Sequence, residues 1–228
     1  VFETMMSGLF QNHTYGTQTT IGTIEHLKNP SLTAIQNFFD TYYVPNNMAI
    51  ILSGDLDPEQ TIKWINEMFG SFKRKEVPKY TFKPEPDMGV VSNKVVGPTP
   101  SYLQVGYRLP GAGDKDADMI DLIDNILSNS AAGLLDLNLV KNQLVMRASS
   151  SAMMLHDYSV EIFNVKPRDG QSLDDCLKLL NEQIQKLKSG DFDESLISAI
   201  AANLSFSQLQ QYESNTGRAY TLVDYFVN

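Results

Sequence analysis

A proline-rich, charged segment near the middle of the chain sets the strongest limit on its fold. Residues 73–100 hold five of the ten prolines, mixed with Lys, Glu and Asp, and show little helical periodicity. Proline interrupts helices and is excluded from central strands, because it has no backbone N–H to donate. We therefore predict a linker over 73–100, with one strand at 90–96, between a first unit at 1–72 and a second unit at 101–228.

The first unit combines helical periodicity with one strand-like run. Apolar residues recur every three or four positions over residues 1–10 and 32–42, which predicts two amphipathic helices. Residues 48–52 are continuously apolar, as in a strand that is buried on both faces. A further helix is predicted to begin at Asp57, because an Asp cap is followed by Pro58 at the first helical position.

The second unit begins with a strand and ends with helices. Sequence alternation predicts strands over 102–107, 144–155 and 158–166, the last two joined by a turn at His156 and Asp157. Helical spacing predicts helices over 119–127, 134–140, 173–187, 193–212 and 216–228. Both units are therefore predicted to mix helices with strands.

Charge and hydropathy exclude two classes of protein. The chain has 27 acidic and 18 basic side chains, a net charge of −9, which argues against nucleic-acid binding because that needs clustered Lys and Arg. No apolar stretch approaches the ~20 residues of a membrane-spanning helix. Residues 101–228 carry 17 acidic and 10 basic side chains, which fits either a solvated acidic face or a surface for cationic segments.

Few residues have the types and spacing that catalysis requires. The three histidines are His13, His26 and His156, and none lies three to five residues from another, so no zinc-protease histidine motif is present. His13, His26 and Glu25 would form a metal site only if the loop between them folded back. The lone Cys176 lies on the apolar stripe of a predicted helix, as a buried hydrophobic residue does. Taken alone, these residues do not specify an enzyme.

Residues 12–72 carry an ordered series of short motifs. The sequence reads N-H-T-Y-G, then I-G-T-I-E-H, then Y-Y-V-P-N-N, and finally S-G-D-L-D-P-E. This series closely resembles the pitrilysin/insulinase family of zinc metallopeptidases, the inverted zincins, and has a bacterial character. Members carry an H-x-Y-G loop, G-T and Glu, a helix ending Y-x-x-x-N, a strand ending G-D, and a D-P-E helix. The matching positions are His13, Tyr15, Gly16, Gly22, Thr23, Glu25, Tyr43, Asn47, Gly54, Asp55, Asp57, Pro58 and Glu59.

Beyond residue 100 the resemblance is looser. R-L-P at 108–110, I-L-S at 126–128 and K-S-G before F-D-E at 192–194 follow the order of the family's second, non-catalytic repeat. The resemblance implies an α+β fold for each repeat, with a mixed, largely antiparallel sheet and helices packed on one face. Residues 1–72 would then complete the first, catalytic-type repeat, and 101–228 would begin the second repeat, truncated at its end.

The resemblance also implies where the family's zinc site would lie. That site is an H-x-x-E-H helix plus a later Glu, all of which precede the H-x-Y-G loop. All ligands and the general-base Glu would therefore lie upstream of Val1, and no catalytic or metal-binding residue is assigned here. The chain is expected to be the non-catalytic portion of a zinc-dependent metalloendopeptidase that hydrolyses peptides. It is expected to be inactive alone, with zinc in the parent protein and none bound to this chain.

The loop at 12–23 supplies the candidate binding residues. His13, Tyr15 and Gly16 are the candidates for a substrate cleft, although packing alone would also explain this loop. The expected partners are the peptide substrate of the parent and the remaining domains of the same polypeptide, or a paired subunit. The alternative is a domain of a catalytically inactive scaffold or partner subunit of the same family. The compartment stays open between bacterial periplasm and cytoplasm.

The apolar run at 48–52 leads to one packing prediction. Its sheet partners in the first repeat would lie outside this chain. We therefore predict that the first unit packs against the second unit, or against another copy, and so hides Ile50, Leu52, Phe38 and Phe39.

Overall fold

The computed structural model describes residues 1–87 and 89–227. The chain divides into two compact units. The sheet unit combines residues 1–11 with 86–209, and the helical unit combines 12–85 with 210–227. This division is spatial, and the repeat boundaries predicted at residues 72 and 100 stay predictions.

Over the described residues, the chain begins with five α-helices, and three strands and four further α-helices follow. In chain order the α-helices are α1 (Phe2–Leu9), α2 (Thr14–Thr17), α3 (Ile24–Lys28), α4 (Leu32–Tyr42), α5 (Pro58–Phe69), α6 (Ala117–Leu127), α7 (Leu173–Ser189), α8 (Ser195–Glu213) and α9 (Asn215–Val227). A 3₁₀ turn covers Pro45–Asn47 and a π-helix covers Asp136–Lys141. In the described ranges, no helix combines the length and apolar composition that a membrane crossing requires.

Local sequence signals set several helix ends, and the predicted cap at Asp57 is confirmed. Asp57 caps α5 by accepting a hydrogen bond from the N–H of Gln60 at 3.0 Å. Ser172 and Asp175 form a capping box at the start of α7. Gly190 ends α7 in the left-handed region with φ of 71°, which glycine adopts without a steric penalty.

The sheet unit is built on a three-stranded antiparallel sheet. Its strands are β1 (Leu103–Pro110), β2 (Arg147–Met153) and β3 (Tyr158–Lys166), in the order β1-β3-β2. The β2–β3 turn contains His156, whose Nδ1 lies 2.9 Å from Asp157 Oδ1. The predicted α+β class with an antiparallel sheet is confirmed.

Helices pack against this sheet and close a core. Phe163 and Val165 of β3 point to the face that carries α6 and α7, where they join one buried apolar cluster. That cluster consists of Ile126, Leu127, Leu134, Leu135, Leu139, Val145, Ala148, Phe163, Val165, Cys176, Leu180, Ile184 and Ile200. The sheet unit therefore has a hydrophobic core of its own.

The opposite face of the sheet is covered at β1 by α1. A Cβ at Gly106 would lie 2.8 Å from Met5 Sδ and 2.9 Å from Leu9 Cδ1, so the glycine allows the helix to approach closely. Arg108, two residues along the same face, donates to the carbonyls of Leu9 and Pro86, each at 2.8 Å. These contacts fix the end of α1 on the sheet.

Two predicted strands do not form. Residues 48–52 and 90–96 are both described, and neither belongs to a strand. An apolar run becomes a strand only beside another strand that pairs its N–H and C=O groups, and none adjoins these segments in the described part of the chain. Ile50, Leu52, Phe38 and Phe39 are 49–59% exposed. Packing within the helical unit therefore leaves these four side chains exposed, and cover by another copy stays a prediction.

Candidate functional site

The predicted cleft residues lie at the start of the helical unit, in α2 and its cap. His13 precedes α2, and its Nδ1 accepts a hydrogen bond from the N–H of Tyr15 at 3.2 Å. Because Nδ1 accepts, it carries no proton in this arrangement. The His13 side chain is fully buried, whereas Tyr15 and Gly16 are half-buried.

Three aromatic rings enclose His13. Their centroids lie 4.1 Å away for Tyr15, 4.5 Å for Phe82 and 5.8 Å for Tyr80, all in edge-on geometry. Edge-to-face contacts of this kind stabilise beyond the apolar area that they bury. The Tyr80 hydroxyl also lies 3.3 Å from Thr14 Oγ1, so residues 80–82 lie against the predicted cleft loop.

Glu85 joins the same two segments through the backbone. Its Oε1 accepts hydrogen bonds from the N–H of Asn12 at 2.7 Å and of His13 at 2.6 Å. These two hydrogen bonds compensate for the burial of the Glu85 carboxyl group. We call His13, Tyr15, Tyr80, Phe82 and Glu85 the His13 cluster.

The His13 cluster shows what the sequence did and did not reveal. The structure brings the candidates His13 and Tyr15 together, and it gives the buried His13 ring a packing and capping role. Contact of His13, Tyr15 or Gly16 with a substrate stays a prediction. Glu85 was missed because it lies more than seventy residues from its amide partners. The alternation of Tyr80 and Phe82, shortly before Glu85 in the proline-rich segment, is the sequence signal that indicates a structured stretch there.

Other motif positions form caps and turns in the helical unit. Thr23 caps α3 by accepting from the N–H of His26 at 3.3 Å. The Asn47 side chain donates to the Tyr42 carbonyl at 2.9 Å, which closes the turn after α4. These two motif side chains thus stabilise local backbone geometry.

The described residues do not fit a zinc site. Across 1–87 and 89–227, no three or more His, Cys, Asp or Glu side chains converge closely enough to hold a metal ion. His26 and Glu25 are exposed on α3, while His13 is enclosed by aromatic rings. These three residues therefore do not form the metal site that their sequence positions left open.

Comparison of the sequence with protein-family models identifies the family of this domain. The model of the family described as the peptidase M16 inactive domain matches residues 31–204, most of the chain. The chain belongs to the peptidase M16 inactive-domain family. The resemblance drawn from the motifs, to zinc peptidases with a non-catalytic domain, is thereby confirmed.

One curated relative is described as a zinc protease. The zinc protease PqqE of Helicobacter pylori (strain ATCC 700392 / 26695) is 26% identical over 216 residues. The match covers 92% of this chain and 48% of that protein. The chain therefore spans about half the length of this curated relative.

Two solved structures share the M16 fold. A protease from Helicobacter pylori superposes with a TM-score of 0.80 at 24% identity, covering 95% of this chain and 54% of that one. A protein described as an M16-like peptidase, from Alicyclobacillus acidocaldarius, gives 0.77 at 16% identity, covering 99% of this chain and 55% of that one. Both comparisons support the α+β fold described above.

Proposed function

We propose that this chain is the non-catalytic portion of a zinc-dependent metalloendopeptidase that hydrolyses peptides. The observation that carries the proposal is the match of residues 31–204 to the inactive domain of M16 peptidases. In this proposal zinc is held elsewhere in the parent protein, since the described residues do not fit a zinc site. The chain contributes architecture and part of the wall of the substrate chamber.

The proposal divides the chain by repeats. Residues 1–72 complete the catalytic-type repeat, 73–100 link the repeats, and 101–228 begin the non-catalytic repeat. The order of motifs over 12–72 supports the first assignment. The core of the sheet unit, which draws its strands from 103–166, supports the last.

Exposed apolar faces on α4 and α5 support a partner that covers them. Ile35, Phe38 and Phe39 on α4, and Ile62 and Met68 on α5, are all exposed. Short amphipathic helices owe most of their stability to burial of the apolar face. We therefore propose that the remaining domains of the same polypeptide, or a paired subunit, pack on these faces.

The substrate in this proposal is a peptide, and the candidates for its contact are His13, Tyr15 and Gly16, of which Tyr15 and Gly16 have exposed surface. Both are half-buried at the edge of the His13 cluster, so some of their surface remains open to a ligand. His13 supports them from within by capping α2.

Peptide cleavage tests the proposal. We expect the full-length protein to cleave a quenched fluorescent peptide, to lose this activity with a zinc chelator, and to regain it with added zinc. We expect the chain alone to cleave nothing. Cleavage by the chain alone would overturn the proposal. A folded full-length protein that stays inactive with zinc would favour the alternative, a catalytically inactive scaffold or partner subunit.

A further inference from the structure

A second group of titratable side chains surrounds Glu161 in the sheet unit. Glu161 lies on the central strand β3, opposite Tyr107 of β1 and Ala152 of β2. It points to the same face as Phe163 and Val165, which α6 and α7 cover. The residue is 4% exposed, and among the described residues neither carboxyl oxygen has a hydrogen-bond partner of standard geometry. A charged carboxylate in that position would be both desolvated and unpaired.

Two acidic side chains of α6 act on Glu161. Asp121 and Asp124 lie one turn apart on α6, and both disfavour a negative charge on Glu161. Ser150 of β2 donates a hydrogen bond to Asp124 Oδ1 at 2.5 Å. Asp124 thus accepts a hydroxyl donor, whereas among the described residues Glu161 has none of standard geometry.

Among the described residues, no Lys or Arg side chain contributes to the pKa of Glu161. From β1 the facing residue is Tyr107, whose ring contacts Phe163. From α7 the buried titratable group is the Cys176 thiol, whose pKa burial raises further. On α6, Asp118 adds a further negative charge beside Asp121.

These surroundings determine the protonation of Glu161. The pKa of Glu161 is raised to about 8, first by burial, then by the charge of Asp124 and a hydrogen bond with it, and last by the charge of Asp121. A hydrogen bond with Ser150 lowers this pKa in part. At neutral pH, Glu161 is therefore mostly protonated and has an O–H to donate. The neighbouring Asp124 carboxylate is the acceptor that the cluster provides.

We propose that Glu161 and Asp124 share one proton at neutral pH, and that this proton holds α6 against the sheet. When hydroxide removes the proton as water, two carboxylates face each other across the contact between α6 and the sheet. Repulsion and the desolvated charge then loosen α6 in mildly alkaline solution. The α6–sheet contact is thus a pH-sensitive latch inside the non-catalytic domain.

The direction of the pH effect follows from linkage. An unfolded Glu titrates near ~4.3, so the folded protein holds an extra proton between that pH and about 8. The stability that Glu161 contributes is fully present below its pKa in the unfolded protein. This stability is lost as the pH rises through the pKa of Glu161 in the folded protein.

A carboxyl-carbon NMR titration of Glu161 in the whole chain tests the latch. We expect a midpoint above about 6.5 in the unaltered protein, well above an ordinary Glu. Asp124→Asn should lower that midpoint, while Glu182→Gln on the exposed surface of α7 should leave it unchanged. A midpoint below this value, or one that Asp124→Asn does not lower, would overturn the proposal. The unaltered protein alone gives the first readout, even if a variant fails to fold.

Unfolding in urea at several pH values gives a second test. Glu161→Gln keeps the side chain neutral, so its stability should not follow this titration. The unfolding equilibrium constant of the unaltered protein should rise relative to that of Glu161→Gln by up to about tenfold per pH unit between pH ~5 and ~8. Parallel pH curves for the two proteins would contradict the latch, and Glu182→Gln should parallel the unaltered protein.

Discussion

The sheet unit and the helical unit differ in how far they bury their apolar side chains. In the sheet unit, Leu135, Leu139 and Leu180 are fully buried in one cluster under the sheet. In the helical unit, Phe38 and Phe39 of α4 remain about half exposed. The sheet provides a flat apolar surface on which helices pack, whereas the helical unit has no sheet in the described part of the chain. The sheet unit therefore encloses a hydrophobic core, whereas α4 of the helical unit leaves its apolar face exposed.

Removing a side chain from the sheet-unit core should have the largest effect. Leu180→Ala leaves a cavity beneath the sheet, so it should lower the free energy of unfolding by about 2–5 kcal/mol. The matched truncation Phe38→Ala, on the exposed face of α4, should cost about 0.5 kcal/mol or less in the chain alone. Urea denaturation measures both. Equal losses would contradict the contrast between the two units.

A smaller effect is expected at the turn that precedes α6. A Cβ at Gly111 would lie 2.2 Å from the His156 carbonyl oxygen, so backbone must move to admit it. We expect Gly111→Ala to lower the free energy of unfolding by about 1–3 kcal/mol. Gly97→Ala is the control, because nothing lies within 4 Å of its Cβ position, and thermal denaturation should separate the two variants.

In the helical unit, the carboxyl group of Glu85 links two segments that are distant in the sequence. Glu85→Ala leaves the N–H groups of Asn12 and His13 without this acceptor, which should cost about 1–2 kcal/mol if the loop stays closed. Amide hydrogen exchange should speed up at residues 12–17. The exposed Glu76→Ala serves as the control. Unchanged protection at Asn12 and His13 would show that the Glu85 bonds do not hold the loop.

Sequence signals were sufficient for several features that depend on neighbours in the chain. Asp57, Ser172 and Gly190 mark helix ends through hydrogen bonds and dihedral angles within a few residues. The β2–β3 pair was predictable for the same reason, since a short turn at His156 joins the strands and determines their pairing.

Prediction failed where the outcome depends on distant partners. Residues 48–52 have the composition of a central strand, but a strand also requires neighbouring strands. Glu161 and Glu85 resemble ordinary surface acids in sequence, yet both are buried by segments far away in the chain. Their burial could be seen only after the fold had brought those segments together.

The most direct test of the account asks whether the helical unit is covered in the full-length protein. Phe39→Asp places a charge on the exposed apolar face of α4, and Asn37→Asp places the same charge elsewhere on that helix. We predict that both variants barely change the melting temperature of the chain alone. In the full-length protein, Phe39→Asp should lower it by several degrees and Asn37→Asp should not. Equally small shifts in both proteins would contradict the claim that the rest of the protein packs on this face.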